Sequence, residues 1–250
     1  MTQMGNSAHP QVVAVIQARM GSTRLPGKVL ADIGGRPMLW HVIQRTRAAK
    51  TLDEVVAATT TEPADDAIVA FCREQNVSCF RGSEADVLDR YYRAAREHQA
   101  QSVVRITADC PLIDCEVIDR TVRAFLEEQP DYASNCVVRT YPRGLDTEIM
   151  TFSALEMAWR EARLPYQRAH VTPYIYENPA RFKILSVTED EDYSAYRWTV
   201  DTSEDLEFVR AVYSHGGQGF LLRDLLSLME REPELAEINR SVAQKALHEG

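Results

Sequence analysis

The chain has 250 residues, of which 45% are hydrophobic, and a formal net charge of -9 at pH 7. A chain of this size can bury a large core, and its acidic balance excludes broad binding to nucleic-acid phosphates, which usually requires a basic excess. The five cysteines are an odd number without a C-x-x-C pair, which argues against a disulfide framework and against a zinc site.

The hydropathy and the cysteines together predict a cytoplasmic protein. No apolar run approaches the ~20 residues of a membrane span, and cysteines of this kind fit a reducing compartment. Residues 1–10 are polar and lack the basic-then-apolar order of a signal peptide, so we expect a disordered extension there. Residues 11–250 are expected to form a single domain.

Short apolar segments alternate with longer amphipathic ones in the first half of the chain. We predict strands at 12–16, 54–59, 78–81 and 103–107, and helices at 37–49, 63–75, 85–98 and 114–128. This alternation is typical of an α/β fold, in which parallel strands are covered by helices on both faces.

The pattern is looser in the second half. Strand-like stretches occur at 132–138, 144–150, 181–187 and 197–200, and they are expected to complete a mixed sheet. The tail, 220–248, predicts two short helices broken near Glu232 and Pro233, which pack either on the sheet or on a second subunit.

A long loop, 17–28, follows the first strand. It therefore starts at the carboxyl end of a parallel strand, where open α/β sheets bind their ligands. Arg19, Arg24 and Lys28 place three cations in this short stretch of an acidic chain, and two glycines allow the backbone to approach a ligand closely. The loop predicts a phosphate-binding site, with an ordinary basic surface loop as the alternative.

The spacing of the loop disfavours two common nucleotide-binding motifs. A Walker A loop reads G-x-x-x-x-G-K-[ST], whereas five residues separate Gly21 from Gly27 here and Val29 follows Lys28. No G-x-G-x-x-G follows the first strand either, which argues against dinucleotide binding.

The loop and the segment Gly34-Gly35-Arg36-Pro37-Met38 resemble the start of the cytidylyltransferases that activate acidic sugars. These include the Kdo and acylneuraminate enzymes, and the likeness is greatest to SpsF-type homologues of spore-coat polysaccharide synthesis. It extends from about Val12 to Tyr213 through the segments 56–60, 81–88, 105–112 and 199–206. The resemblance implies a nucleotide-diphosphosugar transferase (GT-A-like) fold, a mixed, mostly parallel sheet flanked by helices. It also implies transfer of CMP from CTP to a sugar acid with release of pyrophosphate.

The resemblance and the strand-end positions together give a set of expected CTP contacts. They are Ala18, Arg19, Met20, Gly21, Ser22, Arg24, Lys28, Thr59, Arg81, Gly82, Ser83 and Arg105. Ser83 also suits a helix N-cap. Arg105, inside a predicted buried strand, needs a partner, and a structural ion pair serves it as well as a ligand does. Lys28, Arg19 and Asp109 are the expected catalytic residues.

Two aspartates are candidates for a magnesium site. Asp109 and Asp201 each follow a predicted strand, and the matching aspartates of the resembling enzymes bind Mg²⁺, an ion that proteins hold by one or two carboxylates. The alternative for both is a helix N-cap, although Asp114 suits that role better than Asp109 does. A competing D-x-D motif, Asp190 and Asp192, belongs to an acidic run that is typical of a solvated loop.

Four residues are expected at the acceptor site: Arg143, Asp146, Glu148 and His170. The two carboxylates are expected to face the same way along a strand and to bind sugar hydroxyls, unless they line an exposed sheet face. Arg143 suits an acceptor carboxylate, and His170 suits either a base or a structural role. Cys110 is expected to be a small buried thiol.

The function predicted is therefore a Mg²⁺-dependent cytidylyltransferase that acts on CTP and a small acidic sugar-like acceptor. Two alternatives stay open: a glycosyltransferase of the same fold that depends on Asp190 and Asp192, and a catalytically silent nucleotide-binding protein. No nucleic-acid or membrane partner is expected, and the family resemblance leaves a homodimer open.

Overall fold

The computed structural model describes residues 11–217 and 219–245. The predicted extension, 1–10, and the last three residues of the predicted tail lie outside these ranges. The strands of the described residues are β1 (Val12–Gln17), β2 (Asp32–Ile33), β3 (Arg36–Pro37), β4 (Glu54–Thr60), β5 (Ser78–Gly82), β6 (Ser102–Thr107), β7 (Tyr132–Ser134), β8 (Glu148–Thr151) and β9 (Ile184–Ser186).

The α-helices follow the same chain order. They are α1 (Met38–Arg47), α2 (Asp66–Glu74), α3 (Val87–Glu97), α4 (Cys115–Glu128), α5 (Phe152–Glu161), α6 (Pro165–His170), α7 (Pro173–Tyr176), α8 (Ser203–Gly216), α9 (Leu222–Arg231) and α10 (Glu234–Glu237). No helix among the residues described is both long and apolar enough to cross a membrane.

A seven-stranded sheet in the order β5-β4-β1-β6-β8-β7-β9 forms the centre of the molecule. The strands β5, β4, β1 and β6 run parallel, and β8 is antiparallel to both β6 and β7. The predicted mixed, mostly parallel sheet is therefore confirmed. The predicted strands and helices of the first half all form, with ends that shift by a few residues.

The central strand β1 is buried on both faces. Val12, Ala14 and Ile16 belong to one apolar cluster, whereas Val13 and Val15 belong to another, because successive side chains of a strand point to opposite faces. The first cluster also takes apolar residues from α1, α2, α4, α8 and α9, and the second from α3, α5 and α7. The sheet thus has helices on both faces.

All four strand predictions in the second half are wrong in extent or in kind. The predicted strand 132–138 ends at Ser134, and the predicted strand 144–150 begins only at Glu148. The reason is Asn135, whose side-chain amide donates to the Leu145 carbonyl at 2.8 Å and accepts from the Thr147 amide at 2.8 Å. The Asn135 side chain thus takes the Leu145 carbonyl and the Thr147 amide, and beyond β7 and β8 the backbone keeps the bond from the Asn135 amide to the Thr147 carbonyl at 3.3 Å.

The predicted strand 197–200 does not form, because its backbone bonds go to two different segments. Trp198 donates its amide to the carbonyl of Arg143 at 2.6 Å, and Val200 donates to the carbonyl of Asp109 at 2.8 Å. Only an isolated bridge between Arg143 and Arg197 results. The predicted strand 181–187 forms over its centre alone, as β9.

The tail breaks where the sequence predicted. Helix α9 ends at Arg231 and α10 begins at Glu234. Leu225, Met229 and Leu235 are buried in the same cluster as one face of the sheet, so the described part of the tail packs on its own chain. Dimerisation stays a prediction.

Gly144 brings two parts of the cleft wall into contact. Its φ is +106°, and a Cβ placed there would lie 2.5 Å from the carbonyl carbon of Trp198 and 2.7 Å from the amide nitrogen of Thr199. Only glycine allows this close approach, because any side chain would overlap the backbone. The contact fixes residues 142–145 against 197–199.

Replacing Gly144 by alanine is expected to destabilise the protein by about 3 kcal/mol, since it adds a backbone overlap to the strain of a positive φ. Gly35→Ala is the matched control, because Gly35 has a φ of +81° but no atom within 4 Å of its added Cβ. That change is expected to cost only about 1 kcal/mol. Urea unfolding of both variants measures the difference, and equal losses would contradict the role of the close approach.

Candidate active site

A cleft of about 1200 Å³ opens at the carboxyl ends of β1 and β6. Its walls come from the loop after β1, the turn after β6, residues 136–146, the end of α6 with the link to α7, the end of α7, and residues 199–201. The position agrees with the ligand site expected of an open α/β sheet.

The loop after β1 is anchored by a carboxylate that the sequence did not suggest. Asp65 accepts the Met20 amide at 2.7 Å through one oxygen, and it accepts the Thr60 amide and hydroxyl at 3.1 and 2.5 Å through the other. Burial alone would raise the pKa of Asp65, but these hydrogen bonds outweigh it and lower the pKa. The loop is therefore tied to Asp65, 45 residues away along the chain, and through Asp65 to Thr60 at the end of β4.

Lys28 begins a short 3-10 helix after Gly27, whose φ of +73° turns the chain there. Its Nζ donates to Asp109 Oδ2 at 3.0 Å, to Asp201 Oδ1 at 2.9 Å and to the carbonyl of Val200 at 2.7 Å. Three acceptors are the full capacity of an ammonium group. Lys28 is therefore the centre of the charged cluster in the cleft.

The charged groups of this cluster shift one another's pKa values. Burial would lower the pKa of Lys28, but the attraction of Asp109 and Asp201 is larger in sum and raises it. Burial would likewise raise the pKa of Asp109, yet Lys28 and the hydroxyl of Thr107 lower it from its usual 3.8 to about 2. Both groups are therefore charged at neutral pH.

Asp201 is held by two further cations. Its Oδ2 lies 2.9 Å from a guanidinium nitrogen of Arg24 and 2.9 Å from one of Arg197. Arg197 also pairs with the fully buried Asp205, at 2.9 Å, and Asp205 accepts the backbone amide of Asp201 at 2.9 Å. Sequence analysis missed this support because Asp205 is merely the acidic residue of a capping box at the start of α8.

Twelve of the predicted site residues line the cleft. They are Ala18, Arg19, Ser22, Arg24, Lys28, Arg105, Asp109, Arg143, Asp146, Glu148, His170 and Asp201. Six predicted CTP contacts lie outside its lining: Met20, Gly21, Thr59, Arg81, Gly82 and Ser83. Thr59 is fully buried, and Arg81 pairs with Asp66 at 2.6 Å. The direct CTP contacts assigned to these six residues stay predictions.

Arg105 and Glu148 form the structural ion pair that was one of the alternatives for Arg105. Their charged atoms lie 2.5 Å apart, and the other oxygen of Glu148 accepts the hydroxyls of Tyr132 at 2.7 Å and Thr172 at 2.9 Å. Asp146 precedes β8, so the expectation that it shares a strand with Glu148 is wrong. Both its oxygens accept from Arg139, at 2.6 and 2.9 Å.

Arg143 lines the cleft with no carboxylate at ion-pair distance among the described residues. Burial and the neighbouring charge of Arg139 lower the pKa of its guanidinium. His170 ends α6 and also lines the cleft. The sequence predicts one helical stretch over 166–177, but the helix is interrupted at Val171, whose φ is +73°.

Two other candidates for a functional role, Cys110 and the D-x-D motif, have surroundings that fit a buried thiol and a solvated loop. Burial and the nearby Asp109 raise the pKa of the Cys110 thiol well above its usual value, so it is not a ready nucleophile. Asp190 and Asp192 are exposed and lie outside the cleft lining. Asp192 accepts the backbone amide of Ser194 within its own loop, at 2.9 Å.

The sheet order and the lysine–aspartate cluster at its carboxyl edge define an α/β protein of the nucleotidyltransferase type. A family model described as cytidylyltransferase matches residues 13–230. The chain therefore belongs to the cytidylyltransferase family.

Individual relatives extend over most of the chain. Spore coat polysaccharide biosynthesis protein SpsF of Bacillus subtilis is 33% identical over 234 residues, which are 90% of this chain and 96% of that protein. The protein MJ1063 of Methanocaldococcus jannaschii is 40% identical over 243 residues, 96% of this chain and 98% of its own. These values confirm the resemblance to SpsF-type proteins.

Two solved structures have the same fold. A cytidylyltransferase from Leptospira borgpetersenii has a TM-score of 0.89 and 38% identity, and the match covers 95% of this chain and all of that one. A CMP:2-keto-3-deoxy-manno-octonic acid synthetase complexed with CTP has a TM-score of 0.61 at 20% identity, over 82% of this chain and 98% of its own. The second likeness supports the fold alone.

The lowered pKa of Asp109 predicts an acid-sensitive contribution to stability. Because the pKa is lower in the folded chain than its usual 3.8, the contribution is complete above about pH 4 and is lost as the pH falls to about 2. Asp109→Asn should therefore be about 2 kcal/mol less stable than the natural protein above pH 4, with the difference shrinking to near zero at pH 2. Urea unfolding along this pH range measures it, and a pH-independent difference would contradict the ion pair.

Proposed function

We propose that the protein transfers CMP from CTP to a small acidic sugar-like acceptor and releases pyrophosphate, as a step in making precursors of surface glycans. The observation that carries this proposal is the cluster of Lys28, Asp109 and Asp201 in the cleft of a cytidylyltransferase-family chain. The name of the SpsF relative supports the pathway. The free thiols of the cysteines support the cytoplasm as the compartment.

We assign the triphosphate to Lys28, Arg19 and Arg24. Arg19 has a side chain that is 49% exposed and lies 3.6 Å from Glu84, so it is free to turn toward a ligand. Lys28 donates to two carboxylates in the structure, and a triphosphate would offer it oxygens that carry more negative charge. We propose that the ammonium group exchanges the aspartates for phosphate oxygens when the nucleotide binds.

Asp109 and Asp201 fit a magnesium site. Their oxygens converge on one cation, the Lys28 ammonium, at 3.0 and 2.9 Å, so the same pair has the reach to share a divalent ion. The part of the chain described holds no group of three or more metal-ligating side chains, and Mg²⁺ is commonly held by one or two carboxylates with phosphate oxygens and water. Bound there, Mg²⁺ would offset the charge of the triphosphate and lower the pKa of the acceptor hydroxyl.

The reaction that these residues would support is an in-line displacement. The acceptor hydroxyl oxygen forms a bond to the α-phosphorus while the bond to the pyrophosphate oxygen breaks, and the hydroxyl proton leaves to solvent or a nearby base. Lys28, Arg19 and Arg24 would hold the charge that collects on the departing pyrophosphate. The contribution of the protein is then mainly positioning and charge stabilisation.

We place the acceptor near Arg143, Asp146 and His170, which line the cleft. Arg143 suits an acceptor carboxylate because a guanidinium binds such a group through two parallel hydrogen bonds, and no carboxylate of the described residues lies at ion-pair distance from it. Asp146 is already bound by Arg139, so it would contribute to the acceptor site through the charge balance around Arg143.

The glycosyltransferase alternative is less well supported. It depends on Asp190 and Asp192, which are exposed and do not line the cleft. The silent nucleotide-binding alternative shares the cleft and differs only in turnover.

Purified protein should release pyrophosphate from CTP, in preference to other nucleoside triphosphates, when it is given Mg²⁺ and a panel of sugar acids. Chelation should stop the reaction and added Mg²⁺ should restore it. Lys28→Met should lower kcat/KM by about 100-fold or more, because a charge on the leaving group loses its partner. The matched control, Asp190→Asn with Asp192→Asn, should keep the natural rate.

Other outcomes separate the alternatives. Tight CTP binding without pyrophosphate release on a broad acceptor panel would favour the silent protein. Sugar transfer from a nucleotide diphosphosugar, without pyrophosphate release from CTP, would favour the glycosyltransferase if that transfer is lost in the Asp190/Asp192 variant and kept in Lys28→Met.

Arg143→Gln should raise KM for the acceptor by about tenfold or more, since a charge-assisted pair is lost. KM for CTP should stay within about twofold, because Arg143 is assigned to the acceptor alone. Arg143→Lys should recover part of the acceptor affinity. Steady-state kinetics with each substrate varied in turn measures these values, and an equal rise in both KM values would contradict the assignment.

A further inference from the structure

Arg90 is a buried arginine at the cleft that no part of the proposed mechanism uses. It lies on α3 and lines the cleft, but only 2% of it is exposed. Burying a guanidinium ion is costly unless it is paired with an anion or fully hydrogen-bonded. The surroundings of Arg90 therefore decide whether its charge is satisfied by the protein itself.

The protein supplies Arg90 with little compensation. One terminal nitrogen donates to the carbonyl of Ser83 at 2.9 Å, whereas Nε is buried and has no hydrogen-bond partner in the described ranges. No carboxylate in these ranges lies at ion-pair distance from it. Burial lowers the pKa of Arg90, and the positive charge of Arg19 lowers it further.

Two other arginines that line the cleft are compensated, since Arg105 pairs with Glu148 and Arg139 pairs with Asp146. Arg197, outside the lining, pairs with Asp201 and Asp205. A buried guanidinium that faces a cleft and lacks such a carboxylate suits an anion that enters the cleft.

The segment before α3 leaves room for the Arg90 side chain and accepts a hydrogen bond from it. A Cβ added at Gly82 would lie 3.2 Å from Cγ of Arg90 and 3.0 Å from a ring carbon of Phe80, so the absence of a side chain leaves room for the arginine. The next residue, Ser83, provides the carbonyl that accepts from it. Gly82 and Ser83 lie outside the cleft lining, and their contact with the ligand would be indirect, through Arg90.

The charges that act on Arg90 indicate which substrate brings the anion. The charged groups that shift the pKa of Arg90 include Arg19, Asp65 and Glu84. Arg19 belongs to the loop after β1, Asp65 anchors that loop, and Glu84 lies in the segment before α3. The charges that act on Arg143 are a different set, namely Arg139, Asp146 and Arg197. Arg90 is thus on the nucleotide side of the cleft.

We propose that Arg90 is a nucleotide-binding residue whose guanidinium pairs with a phosphate oxygen of the bound triphosphate. The inference rests on the proposed function and deepens it, because it adds a buried cation of α3 to the three cations of the loop after β1. A buried partner is less screened by water than Arg19 is, so it contributes more per contact.

The test compares Arg90→Met with Arg93→Met, which removes the same charge from the same helix. Arg93 has a side chain that is 62% exposed and pairs with Asp89 at 2.8 Å. Titration calorimetry with CTP and with inorganic triphosphate should show about tenfold or weaker binding of both ligands to Arg90→Met. Arg93→Met should bind both within about twofold of the natural protein, since its charge is exposed.

Thermal unfolding gives a second measurement. Arg90→Met should keep or raise the melting temperature, since it removes a buried charge without a protein partner. A structural arginine would give the opposite result, a lower melting temperature with unchanged affinity, and that result would refute the proposal.

A second variant keeps the proposal testable if Arg90→Met does not fold. Gly82→Ala crowds the stem of Arg90 and leaves its charge intact, so it should weaken triphosphate binding severalfold. Unchanged affinity in Gly82→Ala, with Arg90→Met unfolded, would refute the proposal, and so would a loss of CTP binding in Arg90→Met without a loss of triphosphate binding.

The two proposals fail in different ways. Natural protein that binds neither CTP nor triphosphate would refute the proposed function and this inference with it. Natural protein that binds both, with Arg90→Met binding them equally well, would refute this inference alone.

Discussion

The cleft depends on one buried ammonium group. Lys28 Nζ joins the loop after β1 to the turn after β6 and to the segment before α8, through Asp109, Val200 and Asp201. The last of these partners lies 173 residues away along the chain. A buried amine with three acceptors is held in one position, whereas a lysine with fewer would lose part of its charge to desolvation. The carboxyl edge of the sheet is therefore assembled around a cation.

The position of Asp201 in the Lys28 cluster depends on further charged residues that pair with it. Asp201 is shared by Lys28, Arg24 and Arg197, and Arg197 is neutralised in turn by Asp205. Asn239, which follows α10, donates to both the carbonyl of Arg197 and the carboxylate of Asp205, at 2.9 Å each. The tail is thus bonded to the residues that orient a proposed metal ligand. A substitution in the tail would reach the cleft through hydrogen bonds and need not touch a substrate.

The parts of the fold and site that local patterns determine could be predicted from the sequence. Strand β1, the loop after it and the two aspartates at strand ends are of this kind, because strand ends of parallel sheets meet at one edge whatever the detailed packing. The residues missed were Asp65, Asp205 and Arg90. Each of these three residues acts through a contact between distant segments or through its burial. Such contacts and such burial produce no hydrophobic periodicity or motif that could be recognised in the sequence.

The wrong strand predictions have a related cause. Residues 144–147 and 197–200 have strand-like composition, but their backbone groups bond to the Asn135 side chain, to Arg143 and to Asp109. Bonds to the Asn135 side chain in the first segment, and to the backbone carbonyls of two separate segments in the second, override the intrinsic preference of these residues for a strand. The prediction for Asp146 and Glu148 failed for the same reason, since it assumed a continuous strand.

The arginines in and around the cleft are of two kinds, those that pair with a carboxylate of the protein and those that do not. Arg105, Arg139 and Arg197 are paired within the protein and hold the walls together. Arg90 and Arg143 line the cleft without a carboxylate at ion-pair distance in the described ranges, and the charges that act on them form separate sets. Two such cations, each influenced by a different set of charges, suit two anionic substrates. A triphosphate and a sugar acid are such a pair, because each brings a negative charge that would otherwise keep the reacting groups apart.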